Sequence, residues 1–236
     1  LYVADTGSYR VAVFNTVPTA SGGAADFVLG NTIFYKNIPN SSYYLTPAGN
    51  VLRYPGGLAT DGTRFLAADT YNSRVLIWTA MPTSTNQVPD LVLGQPDFTS
   101  IAEDSTATGM YNPLDVATNG TKVAVADSSN HRVLIWNAFP TANGQAPSIV
   151  IGQPDFTSAN SNQGGSVSSR TLERPYSVAT DGKRLAVADN GNNRVLVWNT
   201  WPTITNQAAD LVVGQANLNA SASATSAAGM SGPLSV

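Results

Sequence analysis

The chain of 236 residues has no cysteine, one histidine and few charged side chains, and each shortage excludes a kind of chemistry. Without cysteine there is no disulfide, no thiolate nucleophile and no cysteine-bound zinc or iron–sulfur cluster. Charged residues make up 11% of the chain, against about 25% in an average globular domain. Ser, Thr, Asn and Gln must therefore supply most of the polar surface.

The charge balance and the lengths of the apolar runs limit the partners and the location. The formal net charge is −3, so no basic surface attracts a phosphate backbone, and we predict no nucleic-acid partner. No apolar run approaches the ~20 residues of a membrane span, so we predict none. The composition favours an extracellular, cell-surface or periplasmic protein of a bacterium. Because the chain opens in the middle of a strand without Met, we expect the natural N-terminus upstream.

One phrase occurs four times and sets the organisation of the chain. The copies are VADTGSYRVAVFNTVPT, AADTYNSRVLIWTAMPT, VADSSNHRVLIWNAFPT and VADNGNNRVLVWNTWPT. Each contains an anchor aspartate: Asp5, Asp69, Asp127 and Asp189. A glycine follows each aspartate at a fixed distance, and a proline precedes each later one: Gly30, Gly94, Gly152 and Gly214; Pro55, Pro113 and Pro175. All length variation falls between a glycine and the next proline, as expected for stacked units joined by one adaptable connection.

Each unit contains four short strand patterns and no helical periodicity. An Asp-Gly or Asn-Gly pair, such as Asp61-Gly62, predicts a tight hairpin with positive φ at both residues. The third pattern, Val-Leu-Ile-Trp, is apolar at successive positions, which indicates a strand that is covered on both faces. A β-sandwich would also hold such strands, but it would not repeat its sequence so closely.

We therefore predict an all-β fold, a β-propeller of four-stranded antiparallel blades, in a single domain covering residues 1–236. Four repeats of about 60 residues are visible. The predicted units are 1–54, 55–112, 113–174 and 175–232, with 233–236 beginning a further or ring-closing blade. We favour a segment of a longer, roughly six-bladed propeller over a complete four-bladed ring.

The phrase V-A-D-x-x-N-x-R-V resembles the NHL repeat, whose commonest form is a six-bladed propeller. The first unit departs from it, with Ser8 in place of Asn and Phe14 in place of Trp. The units also exceed the usual ~40–45 residues of propeller repeats. They look like a bacterial long-repeat variant in which a tail, Gly-Gln-Pro-Asp-Phe, extends each blade.

Residues that recur in every unit are interpreted as structural, because function usually breaks a repeat's symmetry. We expect each anchor aspartate to accept backbone N–H groups of its own turn, and its arginine to tie blade to blade. The arginines are Arg10, Arg74, Arg132 and Arg194. The anchor turns and the variable connections should share one end of the propeller, and loops on a rigid scaffold commonly carry binding sites.

Residues that differ between units at this end are the candidate binding residues. They are Tyr9, Tyr71, His131 and Asn193 in the anchor turns, Tyr43 and Tyr44 in the first long loop, and Asp115 near the channel. As the only histidine, His131 could act as a general base, but no second His or Glu cluster accompanies it. We predict no catalytic residue, no metal site and no cofactor.

The function predicted from the sequence is a non-catalytic scaffold that binds a protein partner through its long-loop face. A carbohydrate-binding propeller is an alternative, and it would need exposed aromatics at equivalent loop positions, such as Phe98 and Phe156, where the last unit has Leu218. A metal-dependent hydrolase or lyase, and a propeller domain of a larger surface assembly or filament, are the others. Asn40 and Asn219 lie in sequons within long loops, which makes them candidate glycosylation sites.

Overall fold

The computed structural model describes residues 1–31 and 48–236 and contains four antiparallel sheets. The first sheet comprises β1 (Tyr2–Asp5), β2 (Arg10–Val13) and β3 (Phe27–Leu29). The second comprises β4 (Pro55–Thr60), β5 (Phe65–Asp69), β6 (Arg74–Trp78) and β7 (Leu91–Leu93). The third comprises β8 (Pro113–Thr118), β9 (Val123–Asp127), β10 (Arg132–Trp136) and β11 (Ile149–Ile151). The fourth comprises β12 (Pro175–Thr180), β13 (Leu185–Asp189), β14 (Arg194–Trp198) and β15 (Leu211–Val213).

The four sheets are consecutive blades of a β-propeller, as the sequence predicts. Within each four-stranded sheet the strands lie side by side in chain order, and each pair is antiparallel. The first strands β4, β8 and β12 lie against one another and form the inner wall of the propeller. A short 3-10 turn joins β1 to β2 in the first sheet and the second strand to the third in each of the others: Thr6–Ser8, Thr70–Asn72, Ser128–Asn130 and Asn190–Asn192. Among the described residues, no helix is long and apolar enough to cross a membrane.

Neighbouring blades pack through two kinds of apolar face. We call the face toward the next blade the trailing face; in the first blade it consists of Val11, Val13, Phe27 and Leu29. We call the face toward the preceding blade the leading face; in the second blade it consists of Phe65, Ala67, Leu76, Trp78 and Val92. The same packing recurs between the later blades. Because β6 and β10 contribute to both faces, all their residues are buried, which confirms the prediction from the Val-Leu-Ile-Trp pattern.

The hairpin between the first and second strands differs from the predicted two-residue turn. Thr60 pairs with Phe65, so the connection holds four residues. Only Gly62 has positive φ there, because Asp61 uses its carboxylate instead: Oδ1 accepts the backbone N–H groups of Thr63 and Arg64 at 2.9 and 2.7 Å. The Asp-Gly signal therefore locates the turn but mispredicts its backbone geometry.

A buried ion pair lies at the centre of each complete anchor motif. The Asp69 carboxylate accepts hydrogen bonds from Nε of Arg74 and Nδ2 of Asn72 at 2.7 and 2.8 Å. Its other oxygen accepts the backbone N–H of Arg53, two residues before the proline, at 2.6 Å. The expectation that the aspartate caps its own turn is wrong, because no side-chain cap forms there. Burial raises the pKa of the Asp69 carboxyl, and the attraction of Arg74 opposes that rise.

Each of the three buried anchor arginines holds two successive connections between blades. Arg74 donates from its guanidinium to the carbonyl oxygens of Ala48 and Val51 in the preceding connection, both at 2.9 Å. It also donates to the carbonyl oxygen of Phe98 in the following connection at 2.5 Å. Arg132 and Arg194 repeat these contacts at equivalent positions. The arginine therefore links three consecutive blades through their loops.

The tail that lengthens each unit is folded back against its own blade. Nε2 of Gln95 donates to the carbonyl oxygens of Ser73 and Ala102 at 3.0 and 2.7 Å. Asp97 turns the chain by accepting the N–H groups of the residues that follow, and a side-chain hydrogen bond from Thr99 helps to lower its pKa to about 2. The Phe98 side chain packs against the apolar core between the first and second blades rather than pointing into solvent. The extra length of each repeat is thus a surface loop that hydrogen bonds hold against an ordinary four-stranded blade.

The anchor ion pair generates the first prediction. Replacing Arg132 by Ala leaves the Asp127 carboxylate buried without its counter-ion, and we expect the free energy of unfolding to fall by about 3–5 kcal/mol. The matched control is Arg10→Ala, whose ion pair with Asp5 is partly exposed and should cost about 1 kcal/mol or less. Urea denaturation of both variants measures the difference, and equal losses would contradict a structural role that depends on burial.

Candidate functional site

The loop face is the end of the propeller where the anchor turns and the variable connections meet. Pro55 pairs with Asp69, so the first strand starts at the end where the second strand finishes. Leu93 pairs with Val75, so the fourth strand also finishes there. The anchor turns and the described connections therefore lie at the same end of the propeller, as the sequence predicts. The sequence varies most between units on this face, which makes it the candidate binding surface.

The mouth of the central channel lies at the same end. Two successive residues of each first strand, and their counterparts in the segment near the C-terminus, line a depression of about 300 Å³. The lining residues are Gly56, Gly57, Leu114, Asp115, Tyr176, Ser177, Leu234 and Ser235. Equivalent positions of four units thus converge here, and their side chains differ in size and polarity from unit to unit.

Asp115 holds adjacent blades together in the channel wall. One carboxylate oxygen accepts the N–H of Val116 at 2.9 Å, and the other accepts the N–H of Val178 in the next blade at 3.0 Å. On the other side, a Cβ at Gly57 would lie 1.6 Å from Oδ1 of Asp115, so the carboxylate occupies the space that a side chain would need. Burial raises the pKa of Asp115, and a hydrogen bond with Ser177 opposes the rise.

The residue before each anchor arginine occupies a left-handed backbone conformation. The φ values are 56° at Tyr9, 52° at Ser73, 53° at His131 and 54° at Asn193. Two of these side chains contact the next connection. Nδ1 of His131 accepts the N–H of Arg174 at 3.0 Å, and Oδ1 of Asn193 accepts the N–H of Gly232 at 2.8 Å. His131 and Asn193 therefore hold the residue that precedes the next proline, which is a structural contact.

The electrostatics of His131 agree with that contact. Partial burial lowers the pKa of His131, and the negative charge of Glu173 opposes the decrease. The neutral imidazole that burial favours can accept a hydrogen bond at Nδ1, as the structure shows. Within residues 1–31 and 48–236, no group of three or more His, Asp or Glu side chains is arranged to hold a metal ion.

Tyr71 belongs to an exposed aromatic cluster on the loop face. Its ring stacks on Tyr54, with ring centroids 4.6 Å apart and an interplanar angle of 18°. The guanidinium carbon of Arg53 lies 5.6 Å from the Tyr71 centroid, within cation–π range. Both rings remain well exposed, at 40% for Tyr54 and 43% for Tyr71. We call Arg53, Tyr54 and Tyr71 the tyrosine cluster.

Sequence reasoning missed two members of this cluster and two further exposed tyrosines. Tyr54 precedes the proline of the second unit, Tyr111 lies two residues before that of the third, and Tyr176 follows that of the fourth. Aligning the units on the proline instead of the aspartate would have shown this concentration of tyrosine. Phe98 and Phe156 do not form an exposed aromatic series, since both pack against hydrophobic cores.

The remaining predicted sites lie in the long connections. Tyr43, Tyr44 and Asn40 fall within 32–47, outside the described residues. Asn219 is exposed on its connection, where its own backbone N–H donates to Oδ1 of Asn217 at 2.9 Å.

Comparison with known proteins adds little to this geometry. No family model and no curated protein matches the chain. A crystal structure of Myxococcus xanthus glutaminyl cyclase matches with a TM-score of 0.36 and 13% identity, covering 62% of this chain and 48% of that chain. The chain thus matches about half the length of that protein. A likeness at this level does not bear on activity.

A structural role for His131 predicts how its variants behave. Asn tolerates the left-handed conformation and keeps a hydrogen-bond acceptor, so His131→Asn should change the free energy of unfolding very little. His131→Val places a β-branched residue at positive φ and removes the acceptor, which should cost about 2 kcal/mol. Thermal or urea unfolding measures both. Equal destabilisation by the two variants would show that the imidazole is needed for another reason.

Burial of Asp115 predicts a pH-dependent difference between the wild type and Asp115→Asn. Because the pKa of Asp115 in the folded state lies above the ordinary value of 3.8, the folded state binds the proton more tightly than the unfolded chain does. That contribution to stability is complete below pH 3.8 and is lost as the pH rises through the raised pKa. Between pH 4 and 7 the stability difference should therefore move in favour of Asp115→Asn. Urea unfolding at each pH tests this, and the opposite trend would contradict it.

Proposed function

We propose that this chain is a non-catalytic propeller that binds a protein partner through its loop face, with the tyrosine cluster at the centre of the contact. The observation that carries the proposal is the stacked pair of Tyr54 and Tyr71, which remains exposed on the loop face although each ring is already packed on the other. Tyrosine and arginine are, with tryptophan, the side chains most enriched at the energetic centres of protein interfaces.

The geometry of the cluster suits recognition. Stacking fixes both rings before a partner arrives, so little side-chain entropy is lost on binding. Arg53 is held in place as well, because its backbone N–H donates to the buried Asp69 and its Nη1 to the carbonyl oxygen of Tyr71. The ion pair that stabilises the blade thus also orients the exposed side chains.

Further parts of the proposal rest on the sequence. We propose that the repeat is a long bacterial variant of the NHL type and that the protein is extracellular or at the cell surface, because charge is scarce and Ser, Thr and Asn are abundant. A low-charge surface without a basic patch also suits a protein partner better than a nucleic acid.

Site-specific cross-linking in the producing cells tests this function. A photoreactive amino acid in place of Tyr71 should yield one discrete protein adduct, and Tyr54→Ser in the same chain should abolish it. The matched control places the photoreactive residue at Ile204, an exposed apolar position in the connection between the third and fourth strands at the opposite end. The same adduct from Ile204, or no adduct from Tyr71, would overturn the proposal, and a polysaccharide adduct would favour the carbohydrate-binding alternative.

A further inference from the structure

The residue before each first-strand proline occupies a left-handed backbone conformation. The φ values are 59° at Tyr54, 50° at Asn112, 49° at Arg174 and 53° at Gly232. Most side chains disfavour this conformation, because Cβ then lies too close to the following carbonyl oxygen. The proline adds to the cost, since its ring favours an extended conformation in the residue before it.

The fold imposes this conformation through hydrogen bonds of the preceding residue, which recur in the three complete blades. In the fourth blade, Glu173 donates its backbone N–H to the buried Asp189 at 2.7 Å and accepts the N–H of Gly191 at 2.8 Å. Arg174 then donates its own N–H to Nδ1 of His131 at 3.0 Å, and the proline pairs with the anchor aspartate. The chain therefore turns sharply at this one residue, whichever side chain the residue carries.

Two of the four residues suit this position and two do not. Asparagine tolerates a left-handed conformation and glycine adopts it freely, so Asn112 and Gly232 suit it. Tyrosine and arginine do not, yet Tyr54 and Arg174 are both exposed, Tyr54 by 40%. Strained residues are concentrated at the places where proteins bind other molecules. Tyr54 is the residue at the centre of the proposed function, which directs attention to Arg174.

No contact of the Arg174 side chain offsets the strain of its backbone. Among the described residues, its guanidinium makes no hydrogen bond and no ion pair. The carboxylate of the adjacent Glu173 accepts a hydrogen bond from Nδ2 of Asn162 at 3.0 Å instead. Arg174 lies between the third and fourth blades, and both are present in this chain. Its exposure is therefore a property of the loop face.

A tyrosine accompanies this arginine on the loop face. Tyr176 lies two residues further along the chain, and it is 37% exposed at the mouth of the central channel. The fourth blade thus repeats the combination of arginine and tyrosine that forms the tyrosine cluster of the second blade. A guanidinium carries five N–H donors and no acceptor, and its planar fork matches the two oxygens of a carboxylate.

We propose that Arg174 and Tyr176 form a second contact point of the loop face, at which Arg174 binds an acidic side chain of the protein partner. This second contact rests on the proposed function, since it extends the same interface from the second blade to the fourth. The chain keeps an arginine in an unfavourable conformation because neither asparagine nor glycine would supply the positive charge that a carboxylate needs.

Thermal unfolding tests whether Arg174 serves the fold. Arg174→Asn should raise the Tm by about 2–4 °C, because asparagine tolerates the left-handed conformation and the arginine side chain holds nothing in place. The matched control is the reverse change in the third blade, Asn112→Arg. It should lower the Tm by at least as much, since it also removes the hydrogen bond from Asn112 to Ser129. A lower Tm for Arg174→Asn would show that the arginine stabilises the fold, and would overturn the proposal.

Cross-linking in the producing cells tests the contact itself. The probe is the protein that a photoreactive residue at Tyr71 captures, and the same residue at Tyr176 should capture the same protein. Arg174→Gln keeps the backbone strain but removes the charge, so the Tyr71 adduct should decrease about tenfold, as expected for one charge-assisted hydrogen bond. Arg174→Lys should retain most of the adduct. The control Lys183→Glu, which reverses an exposed charge at the opposite end, should leave it unchanged.

The possible outcomes separate the second contact point from the proposed function. An adduct at Tyr71 without one at Tyr176, or a Tyr71 adduct that Arg174→Gln leaves unchanged, would overturn the second contact and leave the proposed function standing. Equal losses in Arg174→Gln and Arg174→Lys would show that the partner does not recognise the positive charge, which contradicts an acidic partner group. No adduct at Tyr71 would overturn both proposals.

Discussion

The buried pair of anchor aspartate and arginine is the interaction on which the rest of the structure depends. Two opposite charges without solvent contact are tolerated only when their remaining hydrogen-bonding groups are satisfied. Here the backbone provides the partners: the aspartate accepts the N–H of the residue two before the proline, and the arginine donates to carbonyl oxygens of the connections on both sides. Loops that would otherwise be loosely attached thus become part of the core.

The sequence predicts the blades well because their constraints are local and repeated. The apolar run in β6 and β10 indicates a strand buried on both faces, and the constant spacing from proline to glycine defines the unit. The turn at Asp61-Gly62 is mispredicted because a side-chain carboxylate, rather than backbone preference, closes it. The exact partners of Asp69 also escape prediction, because Arg53 approaches it from a connection whose length varies.

The candidate site is less accessible to sequence reasoning, for a physical reason. Variation between units at Tyr9, His131 and Asn193 looks like a contact surface, but the left-handed conformation accounts for Asn and His there, and their side chains bind the next connection. Tyr71 remains a candidate because its ring is exposed and stacked. Tyr54 precedes β4 and Tyr71 follows β5, so the two residues are distant in sequence and meet only at the open end of the hairpin that these strands form.

The connections 95–112 and 153–174 are each held at both ends by arginines of the two blades that they join. Arg74 holds Phe98 at the start of the second connection, and Arg132 holds Thr106 and Gly109 near its end. The few residues in between can lengthen or shorten without moving either blade, since the ends of the insert stay in register. Changes of length should therefore be tolerated at these points, so the propeller can acquire new specificities without refolding its core.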